Sequence, residues 1–235
     1  MIDLSFFSCW LFLVLSSGLF YKSYAILDSA LSNHYPKYSI YDSDRKEYIL
    51  TNILKSIFLL LMSVAFVVNV IRGTINLYDT TYWGTNIIFW KNLVAVYTST
   101  DLVGLIRNKK MATTTIIHHY CVLVGFLVIS FKQFKEEGIY KAIFIYGCFS
   151  SLAFLVNFFL GYRFLVDKDS NTSKIIKSLS HKSYFLVIVS NITWQIYYIV
   201  TVLIYHSNFI MIGLLLALIA LWLRDDYILL KFLSS

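Results

Sequence analysis

The sequence predicts an all-α fold: a multi-pass bundle of about seven transmembrane helices. Composition is the first reason. Of 235 residues, 58% are hydrophobic and only 14% charged, with a mean hydropathy of +0.69. A soluble domain of this length needs far more polar surface to cover itself. The second reason is the scarcity of loop-forming residues. There is one proline, Pro36, and nine glycines, and no run alternates apolar and polar as a strand would. In lipid every backbone group must be satisfied within its segment, which leaves helices. The third reason is that charges punctuate apolar stretches of spanning length. The aromatic content of 18% suits helices anchored at their ends by Tyr and Trp.

The elements follow in order. Leu4 to Tyr21 is an uncharged run of 18 residues, long enough to span. Asp3 stands where a signal peptide would be basic, and no small-x-small cleavage site follows, so the run reads as a first membrane helix. A polar loop is expected from Lys22 to Glu47, around Pro36. The second helix is expected from Ile49 to Ile71, with Lys55 snorkelling near its end. The third runs from Trp83 to Ile106, the fourth from Thr113 to Phe131, the fifth from Ala142 to Tyr162. Ser183 to Leu223 holds no Lys, Arg, Asp or Glu over 41 residues. As helix this is roughly 60 Å, twice a bilayer core, so it must turn, at His206-Ser207-Asn208, giving helices six and seven. Arg224-Asp225-Asp226 then marks the end of the seventh.

Loop charges set the orientation. With seven helices, one face carries four Lys and Arg and the other fifteen; Lys91, inside helix three, is the twentieth. Lys91 is expected to snorkel to the nearer end of its helix. The positive-inside rule then makes the N-terminus lumenal and the C-terminus cytosolic. The net charge of +7 is spread over short loops rather than gathered in one basic domain, so it does not suggest nucleic acid. Cys9, Cys121 and Cys148 all lie in apolar stretches and suggest neither a disulfide framework nor a metal site.

The polar residues inside the helices carry the functional information. His118-His119 sits in 21 uncharged residues between Lys110 and Lys132, and Asp101 precedes the pair by 17 residues. Ionisable groups at membrane depth are expensive and face a protein interior or a cavity. Asp101 lies five residues inside the end of its helix and His118 five residues inside the start of the next. A short connection makes these helices antiparallel neighbours, so the three residues can meet. Asn157, six residues before Arg163, shares their depth. Tyr146, Ser150, Phe154 and Asn157 fall on one helical face, as do Asn191, Gln195 and Tyr198. A polar chamber opening toward the cytosol is expected, with Ser150, Phe154, Asn157, Asn191 and Gln195 as its lipid-binding lining. A carboxylate beside one imidazole nitrogen fixes the tautomer and makes the other a better base. Adjacent histidines point about 100° apart on a helix, so one of the pair faces Asp101. Interhelical hydrogen bonding, headgroup binding and catalysis are all open uses for such groups. His-His is not the one-face His-x-x-x-His of a metal site, and no cofactor motif is present.

The segment Tyr97-Thr98-Ser99-Thr100-Asp101-Leu102, a short basic loop, and Ile116-Ile117-His118-His119-Tyr120 together resemble the core of the TLC domain family. That family includes ceramide synthases, translocating-chain-associating membrane proteins and TLC-domain-containing proteins of lipid homeostasis. Tyr41 to Tyr48, with Asp44-Arg45-Lys46-Glu47, is similar to the loop before the family's second helix. Ser151, Phe154, Asn157 and Arg163 look like a loosened Ser-x-x-Phe-x-Asn-x-Arg helix. The likeness covers Ser39 to Leu223. It places an N-terminal helix and loop in 1–38 and a TLC domain in 39–235.

There are departures. Leu59 stands where many relatives carry His, and Cys148-Phe149 where many non-synthase members carry Glu. Asn157 is shifted by one residue. The aspartate pair that ceramide synthases carry downstream of His-His is missing, since no Asp or Glu occurs between Glu137 and Asp167. The resemblance implies a protein of the endoplasmic reticulum or Golgi that binds or handles lipid and influences sphingolipid or phospholipid composition. Membrane lipids are the implied partners, and a homo-oligomer is compatible with it. A rival reading is an acyl-CoA-dependent ceramide synthase, with His118 or His119 as base or acyl acceptor, Asp101 orienting it, and acyl-CoA as substrate. A third is a translocon-associated or trafficking protein.

Overall fold

A computed structural model describes residues 4–75, 86–132 and 137–234. Among these residues the ordered elements are all helices. The first, α1, is Leu4–His34, 31 residues and so roughly 46 Å long, well beyond one bilayer crossing. The expected polar loop from Lys22 to Glu47 is therefore mostly helix. Lys22 through His34 continue α1, Pro36–Ser39 form the single turn α2, and α3 begins at Ser43. Chain chemistry explains the difference. Between Lys22 and His34 there is neither glycine nor proline, and Pro36 enters at a first helical turn, where its missing N–H costs nothing. Asp42 accepts the Arg45 backbone N–H at 2.7 Å and so caps α3. The Tyr38 hydroxyl donates to Asp28 at 2.6 Å and the Tyr24 hydroxyl to Thr51 at 2.9 Å, tying α1, α2 and α3 together.

Helix α3 is Ser43–Ile75 and α4 is Ile87–Arg107. Residues 83–85 of the expected third helix lie outside the described residues. Helix α5, Thr113–Phe131, has the expected bounds. The expected fifth helix is two: α6, Ile139–Ser151, and α7, Phe154–Tyr162, bent by 45°. No proline or glycine sits at this break, and serine hydroxyls bond carbonyls on both sides of it. Ser151 Oγ donates to the Cys148 carbonyl at 2.7 Å, and Ser180 Oγ of the following helix donates to the Leu155 carbonyl at 2.9 Å. Side chains inserted into the helical ladder bend it. Helix α8, Asn171–Tyr198, starts twelve residues before the expected Ser183, with Ser170 as its cap. It runs through a π-helical turn, Ile199–Leu203, and ends in Ile204–His206. The chain turns at Ser207-Asn208, as expected, and Asn208 caps α9, Phe209–Ser234. Arg224-Asp225-Asp226 thus lies inside α9 and does not end it.

Four helical segments are long and apolar enough to cross a membrane, and five if the bent pair α6/α7 is one span. An integral, multi-pass membrane protein fits these segments. The remaining two of the seven expected spans, α4 and α9, carry Lys91 and Asp101 and Arg224 to Asp226, which hold them below the same measure. Lys91 does not snorkel. It is 1% exposed and its Nζ donates to Ser5 Oγ at 2.9 Å and to the Ser130 carbonyl at 2.8 Å, pinning α1 and α5 to α4. Helix α1 packs along α4, and α3 along α7, where Gly161 lets the backbones approach.

Candidate functional site

The site is built around a carboxylate with no access to solvent. Asp101 of α4 is 0% exposed. Ser99 and Thr100, buried beside it, return their hydroxyls to the Val96 and Tyr97 carbonyls, so they cost no unpaired donors. Two cationic or basic side chains converge on one Asp101 oxygen. Lys55 Nζ of α3 donates to it at 2.5 Å, and His119 Nδ1 of α5 lies 2.5 Å away. Lys55 therefore turns inward rather than snorkelling. The other oxygen, Oδ2, has no hydrogen-bond partner among the described residues.

The histidines divide as the 100° step between neighbours requires. Their rings stand at 86° to each other, with centroids 5.8 Å apart. His119 faces Asp101, while His118 Nδ1 lies 3.6 Å from Asp225 Oδ2 of α9. The next residue, Asp226, accepts the Tyr184 hydroxyl at 2.5 Å and the Tyr146 hydroxyl at 3.1 Å. Lys55, Asp225, Asp226 and Tyr184 are the site residues that the sequence did not disclose. A signal existed for Lys55. Tyr48, Asn52 and Lys55 form a polar stripe at i, i+4 and i+7 of α3, and such a stripe faces a polar interior.

These groups surround a chamber of about 470 Å³ at the end of the bundle where the α4–α5 connection lies. Its walls include Thr51, Asn52 and Lys55 of α3, His118 and His119 of α5, Ser150 of α6, Asn157 of α7, Tyr184 and Asn191 of α8, and Asp225 and Asp226 of α9. Asn108, Lys110 and Arg163 stand at its mouth. Asp44, 2.5 Å from Lys110, holds that ammonium above its ordinary pKa range. Tyr97, His118 and Ser150 also line a second, apolar slot of about 40 Å³, with Phe66, Cys121, Ile129 and Trp222 among its walls. The polar chamber and the apolar slot therefore share a wall.

The expected lining is only partly together. Ser150, Asn157 and Asn191 face the chamber. Phe154 packs instead against the main apolar core, because the bend after Ser151 rotates it away from the face of α6. Gln195 is buried between helices and donates to the Ala142 carbonyl at 3.0 Å, joining α8 to α6. Tyr198 donates to Glu137 at 2.8 Å, farther along the same seam. Gln195 and Tyr198 are interhelical links, and of that trio Asn191 alone reaches the chamber.

Chemically, His118 is an imidazole that lines the chamber with a carboxylate behind it. Such a group can accept a proton from a bound O–H or N–H nucleophile. His119, Lys55 and Asp101 form a buried polar cluster that ties the α3, α4 and α5 walls together. Fold and site together define an integral, multi-pass helical membrane protein with a charged chamber at one end. Compared with models of known families, with curated proteins and with solved structures, the chain matches none.

Proposed function

We propose that this chain is a seven-span, TLC-type protein of the endoplasmic reticulum or Golgi that binds an amphipathic lipid and influences sphingolipid or phospholipid composition. Its N-terminus is lumenal and its C-terminus cytosolic, so the chamber opens to the cytosol. The observation that supports this reading is the wall shared by the polar chamber and the apolar slot. An amphiphile needs both environments in contact, whereas interhelical hydrogen bonding needs neither cavity. The test is lipid extraction from the purified chain, comparing wild type with Gly125→Phe. Gly125 lines the slot, and an added Cβ already meets Ile143 at 3.1 Å. A defined lipid that copurifies with wild type and is lost from the folded variant supports the reading. Equal retention by both overturns it.

One observation favours a second, enzymatic reading. Asp225 and Asp226 bring two carboxylates to the chamber, although none follows His118-His119 at the synthase spacing. As an N-acyltransferase, the chain would take the amine proton on His118, with Asp225 stabilising the imidazolium. The amine nitrogen would bond to the thioester carbonyl carbon. The C–S bond would break, and the proton would pass to the departing thiolate of CoA. Ceramide formed from labelled sphingoid base and acyl-CoA by wild type, and lost in His118→Ala with abundance matched, supports this. No ceramide from folded wild type removes it for that substrate.

A further inference from the structure

Two guanidiniums share one aromatic ring beside the chamber without a carboxylate partner among the described residues, whereas neighbouring Lys110 and Arg107 each have one. Arg163, at the end of α7, lines the mouth, with its guanidinium carbon 4.6 Å from the Phe164 ring and 4.5 Å from the Phe232 ring. Arg45, in the first turn of α3, lies over the same Phe164 ring at 4.6 Å. Neither side chain forms an ion pair among the described residues. The nearby acids are already engaged: Asp44 with Lys110, Glu47 with Arg107, and Asp42 as the cap of α3.

Sharing one ring centroid, the two guanidinium carbons are no farther apart than twice 4.6 Å. A phosphate held by an arginine fork keeps its phosphorus roughly 4 Å from the guanidinium carbon. A phosphate taken by the Arg163 fork therefore lies in the field of both guanidinium charges. Arginine is the side chain suited to this, because its planar donors match phosphate oxygens and its face stacks on aromatics. Clamping between two rings also fixes Arg163 in advance, so little rotamer freedom is lost on binding.

From this geometry we infer that Arg45 and Arg163 form a phosphate-binding rim, and that the chamber admits ligands whose phosphate group stays at the mouth. The inference rests on the proposed amphiphile chamber for the rest of the ligand. The phosphate belongs either to an amphiphile, with its chain directed toward the slot, or to a free anion.

The test uses the full chain in mild detergent and reads the midpoint of thermal unfolding against ligand concentration. The probes are dodecyl phosphate, dodecanol and inorganic phosphate. Dodecyl phosphate is expected to half-saturate at a roughly tenfold or greater lower concentration than dodecanol, the size of a charge-assisted hydrogen bond. Arg45→Gln, on an exposed side chain, and Arg163→Gln each reduce that preference, and the double variant abolishes it. Arg163→Lys restores less than the full preference, because the fork is lost. Stabilisation by inorganic phosphate at the same concentration, lost in the double variant, supports the rim and assigns it to a free anion. A preference for dodecyl phosphate that survives the double variant overturns the rim. Equal binding of dodecanol and dodecyl phosphate by wild type also overturns it, while leaving the amphiphile chamber standing. Response to none of the probes overturns both.

Discussion

Asp101→Asn is the perturbation that tests the central cluster most directly. The carboxylate is fully buried, and the Lys55 side chain that meets it at 2.5 Å is 13% exposed. At an effective dielectric of about 20, two unit charges at that distance attract by about 6 to 7 kcal/mol. Desolvating both offsets most of this, so the pair's net worth is small. Removing one member is a different matter. It leaves an uncompensated ammonium in the bundle, at a cost of about 3–5 kcal/mol. Lys55→Met is expected to cost a similar amount by stranding the carboxylate beside His119. The double variant Lys55→Met/Asp101→Asn strands neither charge. It should therefore be no less stable than either single variant, a coupling of at least about 3 kcal/mol in the double-mutant cycle. The assay is helical circular dichroism through thermal unfolding in detergent, where each kcal/mol displaces the midpoint by roughly 2–4 °C for a chain of this size. If the two single losses simply add in the double variant, the two charges do not stabilise one another and the cluster as described is wrong.

Other consequences are equally open to measurement. Gly161→Ala should lower stability by about 1–3 kcal/mol, because the new Cβ would sit 2.7 Å from Ile53 and 3.0 Å from the Ile49 carbonyl; Gly213→Ala, which meets nothing within 4 Å, should not. Melting curves of the two variants compare them directly. Tyr184→Phe removes the 2.5 Å bond to the Asp226 carboxylate and should cost about 1.5–3 kcal/mol in the same assay, more than Tyr146→Phe, whose bond is 3.1 Å. Arg107→Ala should cost about 2 kcal/mol and raise protease sensitivity near residue 40. That arginine is bidentate to Glu47 and lies over Tyr24 at 4.3 Å, tying α4 to α1 and α3.

Much of this was visible along the chain, and what was not has definable causes. Equal depth brought Asp101 and the histidines together, because the rise per residue is fixed and the α4–α5 connection is short. The angle between neighbours on a helix separated His118 from His119. Lys55 was misread because a long side chain near a helix end can reach water as readily as a buried partner, and hydropathy does not distinguish the two. Asp225 and Asp226 looked like a helix end because charge was taken as the boundary. Helix α9 instead continues to Ser234, and the apolar Tyr227-Ile228-Leu229-Leu230 was the sign of it. The bend after Ser151 coincides with a hydrogen bond from the Ser180 hydroxyl to the Leu155 carbonyl, 25 positions away, and no local pattern encodes it. It is also why Phe154, on the right face of a straight helix, ends in the core.

His118, with Tyr97 and Ser150, belongs to the walls of both the chamber and the apolar slot. A guest that occupied both would place the junction between its polar and oily halves at that shared wall. In the proposed amphiphile chamber, selection would act on where polarity changes along the molecule, and only secondarily on total length. Chains differing by several carbons at the far tip would register alike, while shifting a single hydroxyl by two carbons would move it from water into hydrocarbon.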